Sequence, residues 1–182
     1  MEFNIRLRAF EKEDALFINQ LRNEDEREKY IGGSKRYVSL CREQKWVEDI
    51  ILGDSQSVMY FAVTTSESDS IIGYTSISDI DYRNGSCFWS GIKLSPSVAG
   101  KGYGLQVGLL VLNHVFEEMR MVRCTAQAQE GHQPAIRMLD KLGFFKEGLM
   151  RKNVFKNGNS LNTWLLSIIE EEYKLIKSTY NL

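Results

Sequence analysis

The chain has 182 residues, 43% apolar and 26% charged, with a formal net charge of −1. That length suffices for one domain over residues 1–182 with a real core, and the near-neutral balance argues against general nucleic-acid binding, which draws on a basic excess. MEFNIRLRAF lacks a signal-peptide core, no apolar run approaches the roughly 18 residues that cross a bilayer, and Cys41, Cys87 and Cys124 match no zinc spacing, so the expectation is a cytoplasmic protein with reduced thiols, no metal and no membrane contact.

In chain order, Phe3 to Phe10 alternates apolar and polar residues as a half-buried strand does. EKEDALFINQLRN sets Phe17, Ile18 and Leu21 at helical spacing behind acidic residues, and RNEDEREKY is too charged for core. A second helix follows with Trp46, Val47, Ile50 and Ile51 on one face and Gly53 as its stop. SVMYFAVTT and SIIGYTSISDI read as strands around the polar SESDS turn, and Asn84-Gly85 predicts a type I′ hairpin returning through CFWSGIKL. Leu105, Leu109, Leu112, Phe116 and Met119 then form a helical stripe, MVRCTAQAQ is a strand, and Ala135, Met138, Leu139 and Leu142 mark a helix ended by Gly143. FFKEGLMRKNVFKNGNSLNTWLLSIIEEEY closes the chain with two strands around Asn157-Gly158. The order β-α-α-β-β-β-α-β-α-β-β predicts an α/β (α+β) fold: a mixed, largely antiparallel sheet of about seven strands flanked by about four helices.

SPSVAGKGYGLQ, Ser95 to Gln106, carries the strongest chemical signal. It fails as a P-loop, because Gly102 stands where the hydroxyl after the lysine should be, and as a dinucleotide fingerprint, because its spacing is G-x-G-x-G. Backbone N–H groups at a helix start still hold anions, and Lys101 adds charge nearby; a flexible strand-to-helix turn is the plainer alternative.

A strand, then VAGKGYG, a long helix, another strand, QPAIRMLDKLGF and a following KEG together resemble the GNAT superfamily of acetyl-CoA-dependent N-acetyltransferases, over nearly the whole chain. LDKLGFFKEG and the later KNG and NTW segments are similar to the branch of ribosomal-protein, spermidine and amino-sugar-nucleotide acetyltransferases. The resemblance implies that Ala99, Gly100, Lys101, Gly102, Tyr103 and Gly104 wrap the coenzyme A pyrophosphate. It implies that Gly91 to Leu94 splays from Val122 to Ala128 to admit the pantetheine arm, and that backbone groups of Ile92 and Leu94 hold the arm and polarise the thioester carbonyl. It also implies that His132 and Ala135 fall at the cofactor-facing start of the following helix.

Three positions depart from the family pattern. Ala99 replaces an Arg or Gln, His132 an Asn, and Leu139 a tyrosine general acid; Trp89 aligns with a strand glutamate that is a candidate base. His132 is either a poor helix cap or a cofactor contact able to accept a proton. Glu130 is the other tentative base, while Asp79 and Asp81 read more readily as turn residues. Cys87 and Cys124 have apolar neighbours, which favours buried thiols and direct amine attack over an acetyl-cysteine route.

For the acceptor, Glu24, Asp25, Glu26 and Glu28 form a cluster that is either a solvated face or an attraction for a polyamine. Tyr30, Trp46 and Tyr60 are either core or pocket, and Leu21 to Asn23 is weakly similar to amino-sugar-nucleotide members. The expected function is transfer of acetyl from acetyl-CoA to a small amine, an amino-sugar nucleotide or a protein N-terminus, with a homodimer as a possible assembly. A non-catalytic acyl-CoA-binding module is the alternative.

Overall fold

The structure is a computed structural model that describes residues 2–24, 30 and 35–182. Seven strands join one sheet in the order β1-β2-β3-β4-β5-β7-β6. They are β1 (Ile5–Arg8), β2 (Met59–Thr65), β3 (Ser68–Asp81), β4 (Ser86–Leu94), β5 (Arg123–Gln129), β6 (Phe145–Lys156) and β7 (Asn159–Ile169). Every pairing is antiparallel except β4 with β5. Among the described residues five α-helices accompany the sheet: α1 (Asp14–Arg22), α2 (Leu40–Leu52), α3 (Tyr103–Asn113), α4 (Gln133–Lys141) and α5 (Glu170–Tyr180). No helix among the described residues is long and apolar enough to cross a membrane.

Neighbours on β2 show how the sheet is covered. Ala62 and Val63 are both fully buried yet point to opposite faces, as successive strand residues must. Val63 joins the larger core, in which Val107, Leu109 and Leu112 of α3, Ile136, Leu139 and Leu142 from the α4 segment, and Tyr173 of α5 pack on Ile77 and Trp89. Ala62 joins a smaller cluster with Phe10, Ala15, Ile18 and Val47, beneath α1 and α2. The stripes at 17–21, 46–51, 105–119 and 135–142 therefore face inward as their spacing predicts.

Three local features differ from the expectations. The Asn84-Gly85 turn is not type I′, since only Gly85 has positive φ (66°) and Asp81 faces Ser86 across a longer loop. Asp81 accepts from the backbone N–H of Asn84 (2.9 Å) and of Arg83 (3.0 Å), so its carboxylate, not a pair of left-handed residues, organises the turn. Asn157 and Gly158 do both take positive φ, and a two-residue turn joins Lys156 to Asn159. Gly53 stops α2 in an extended conformation, not a left-handed one. The last eleven residues of IIEEEYKLIKSTY are helix rather than a continuation of the strand: Glu172 reaches back to the Ile169 N–H (3.0 Å), and Glu170, Glu171 and Glu172 crowd the positive end of α5.

Candidate functional site

β4 and β5 run side by side only from Ser86–Arg123 to Trp89–Ala126, after which neither pairs with the other although β4 continues to Leu94 and β5 to Gln129. The divergence begins at a bulge. Trp89 lies opposite Ile77 and Ile92 opposite Thr75, so β4 spends one more residue than β3 over this span, with Gly91 at φ 92° inside it. A bulge of this kind bends the strand that carries it, here away from β5.

Beyond the bulge the backbone direction follows from one hydrogen bond. The Ser95 N–H donates to the Ile72 carbonyl (2.8 Å), toward β3. Successive N–H groups of an extended chain face opposite edges, so Lys93 also faces β3 while Ile92 and Leu94 direct theirs into the gap. Both residues expected to contact the arm thus direct their N–H groups to the edge of β4 that faces away from β3.

The gap leads to the glycine turn. Gly100 and Gly102 hold φ of 77° and 76°, and a methyl group added to either would meet nothing within 4 Å. Gly102 caps α3, whose first internal bonds run from Leu105 and Gln106 to the Gly102 carbonyl. Among the described residues, none of the consecutive N–H groups of Gly100, Lys101, Gly102, Tyr103 and Gly104 has a protein acceptor. Orphan donors at a helix start, beside open space at Gly100 and Gly102, are the groups that hold an anion such as a pyrophosphate. Lys101 is exposed with its ammonium 6.0 Å from the Tyr103 ring centroid, and the Ala99 side chain is exposed and apolar. A methyl on Gly104 would lie 3.3 Å from the Met138 sulfur and 3.6 Å from Ile92 Cδ1, so the turn, the free edge of β4 and α4 meet there.

The turn from β5 into α4 forms the other lip. His132 is the residue before α4 but makes no side-chain cap, and its ring stacks on Tyr30 with centroids 4.0 Å apart. Ala135 is half-buried in the first turn of α4, beside the gap. Glu130 is exposed, and its Oε2 accepts from Asn162 Nδ2 (3.0 Å). Leu139 is buried in the core, as its apolar character requires. Asp79 is exposed in β3 at φ 49°, and hydrogen bonds from Asn84 lower the Asp81 pKa, so both serve the strand and its turn.

Trp46 and Tyr60 pack edge to face (5.2 Å) around Phe10, half-buried against the smaller cluster on the α1–α2 face. Arg22 sits 5.0 Å above Trp46 and binds both oxygens of fully buried Glu43 (2.9 Å each), an ion pair that neutralises that carboxylate. Two residues on, Glu24 Oε2 is buried without a hydrogen-bonding partner among the described residues; Asp25, Glu26 and Glu28 lie outside them. Thr75 escaped the sequence reading, although an isolated glycine in a strand pattern (Gly91) was a signal of the bulge it supports.

A family profile for the acetyltransferase (GNAT) domain matches residues 4–145. The SPbeta prophage-derived uncharacterized N-acetyltransferase YokL of Bacillus subtilis is 30% identical over 94% of this chain and 93% of its own. The spermidine N(1)-acetyltransferase of Escherichia coli K12 is 24% identical over 93% of this chain and 88% of its own. Among solved structures, a spermidine N-acetyltransferase from Vibrio cholerae in complex with CoA and spermine superposes with a TM-score of 0.85 at 22% identity, covering 94% of this chain and 98% of that one.

Proposed function

The chain belongs to the GNAT acetyltransferase family and moves an acetyl group from acetyl-CoA to an amine, and we propose that it does so along the β4–β5 gap with a polyamine as acceptor. The observation that carries this reading is the end of β4–β5 pairing at Trp89–Ala126, beside a helix start where, among the described residues, five consecutive N–H groups have no acceptor. In this reading the amides of Gly100 to Gly104, with Lys101 beside them, hold the pyrophosphate. The arm runs between the prongs past Leu94 and Ala135, and the Ile92 N–H meets the thioester oxygen.

The amine nitrogen attacks the carbonyl carbon directly, and Ile92 stabilises the oxyanion as the C–O bond loses its double-bond character. Collapse of that adduct breaks the C–S bond and releases the CoA thiolate, which is protonated from solvent because Leu139 has no proton to give. We assign the amine's proton to His132 rather than Glu130, whose carboxylate is exposed and engaged by Asn162.

A polyamine is supported by Glu24, whose buried oxygen has no partner among the described residues and is suited to an ammonium, and by the similarity to proteins named spermidine acetyltransferases. The test is release of free CoA thiol with spermidine, spermine, putrescine, an amino-sugar nucleotide and short peptides with free N-termini. Turnover is expected with the polyamines, and Glu24→Gln raises their KM roughly 10-fold, the effect of losing one partly buried charge contact. Turnover confined to the sugar or peptide substrates overturns the polyamine assignment and leaves the acyl-transfer reading standing.

A further inference from the structure

We infer that Thr75 is a positioning residue for acetyl transfer, acting through the bulge of β4. Its hydroxyl accepts from the Trp89 indole N–H (Nε1 to Oγ1, 2.8 Å) and donates to the Gly91 carbonyl (2.7 Å). Thr75 and Trp89 are each 1% exposed, so solvent does not replace either bond. The polarity of this relay has one solution: an indole N–H only donates and a carbonyl only accepts, so the single Thr75 proton is committed to Gly91.

The Gly91 carbonyl belongs to the same peptide unit as the Ile92 N–H. In a planar trans peptide the C=O and N–H point in opposite directions. Anchoring the carbonyl on Thr75 therefore turns the Ile92 N–H outward, into the gap. A bulge residue is the place where the ladder gives least guidance, because the regular strand-to-strand bonds are interrupted; the side-chain relay replaces that guidance. Donation to the carbonyl also polarises the amide and strengthens its N–H as a donor.

This inference rests on the reading that the Ile92 N–H meets the thioester oxygen, and the experiment separates the two. Acetyl-CoA labelled with carbon-13 at the thioester carbonyl is bound to wild type, Thr75→Val, Thr75→Ser and Trp89→Phe, and the labelled carbonyl stretch is recorded without acceptor. kcat is measured alongside, with the amine of the panel above that turns over fastest. In wild type the band lies below that of free acetyl-CoA. In Thr75→Val it returns toward the free value and kcat falls about 10- to 100-fold, the scale of impairing one oxyanion donor, while KM for acetyl-CoA stays near wild type. Thr75→Ser restores both the band and kcat. Trp89→Phe, which releases one end of the relay, gives an intermediate band.

A folded Thr75→Val protein with wild-type band and kcat overturns the positioning role and spares the Ile92 reading. A wild-type band already at the free value overturns both. Should Thr75→Val not fold, Trp89→Phe decides: an unchanged band and kcat count against the relay.

Discussion

Gly102 joins two demands at one residue. Its φ of 76° and ψ of 3° lie in the left-handed region, and it caps the helix whose first N–H groups have no acceptor among the described residues. An L side chain there costs about 1–2 kcal/mol in backbone strain. We predict that Gly102→Asp weakens acetyl-CoA binding at least about 10-fold by calorimetry, because the strain is joined by a carboxylate facing the pyrophosphate. Gly102→Ala carries the strain without the charge and loses less affinity. The gap between the two variants measures the electrostatic part, and it narrows as salt is raised. Equal and near-wild-type affinities in both folded variants would remove this turn from the binding site. The residue scale also explains why Ala99 is tolerated: the orphan donors are backbone groups, and its exposed side chain is not among them.

At the scale of elements, α3 does not end as a plain helix. It runs into a π-helical segment, His114–Glu118, against which α5 docks through Tyr173. The Tyr173 ring stacks on Phe116 with centroids 4.8 Å apart, and its hydroxyl donates to Asn113 Oδ1 (3.1 Å). Truncating so large a buried ring typically costs 3–5 kcal/mol, so Tyr173→Ala should lower stability by about that much in urea unfolding. Tyr173→Phe should cost only about 1 kcal/mol, the hydrogen bond alone. On the other side of the same segment His114 lies edge-on to Phe61 (5.3 Å), and burial pulls its pKa below the ordinary value, against a smaller opposing pull from Glu118. The folded state therefore resists the proton that the unfolded chain accepts near pH 6.5, and stability is lost as pH falls through that value toward the folded pKa. Thermal melts should show wild type losing more Tm between pH 7.5 and pH 5 than His114→Asn does; parallel slopes would count against it. Neither the π segment nor α5 was legible in the sequence. The stripe from Leu105 to Met119 holds its inward face through the π turn, so its spacing does not betray the change of helix type. The strand-like apolar run of β7 masked the point where Glu172 caps the next helix. What local pattern does encode came through among the described residues: seven strands, four of the five helices, and the glycine turn. The anchoring of the Gly91 carbonyl by Thr75 and the stacking of Tyr30 on His132 depend on pairings across the fold, which one-dimensional spacing does not carry.

At the scale of the whole molecule, the sheet is one continuous layer whose two sides part at a single seam, between β4 and β5. A seam where two strands stop pairing suits a reaction in which donor and acceptor meet directly. Cys87 and Cys124 are the groups that offer a covalent detour, and the fold argues against them. They are register partners within the paired part of the seam, two residues short of where it opens, and are 2% and 0% exposed. The hydrogen bond with Cys87, and then burial, push the Cys124 thiol above its ordinary range, away from the nucleophilic thiolate. Transfer through either sulfur would require acetyl-CoA to enter the core. Direct attack requires instead that amine and acetyl-CoA be bound together. Initial rates varied in both substrates should therefore give intersecting double-reciprocal lines, and protein quenched after incubation with acetyl-CoA alone should carry no acetyl thioester by mass spectrometry. Cys87→Ala and Cys124→Ala should retain kcat while losing stability through the cavities they leave. Parallel lines together with an acetylated Cys87 or Cys124 would replace direct transfer with a two-step route and place the thiol in the reaction.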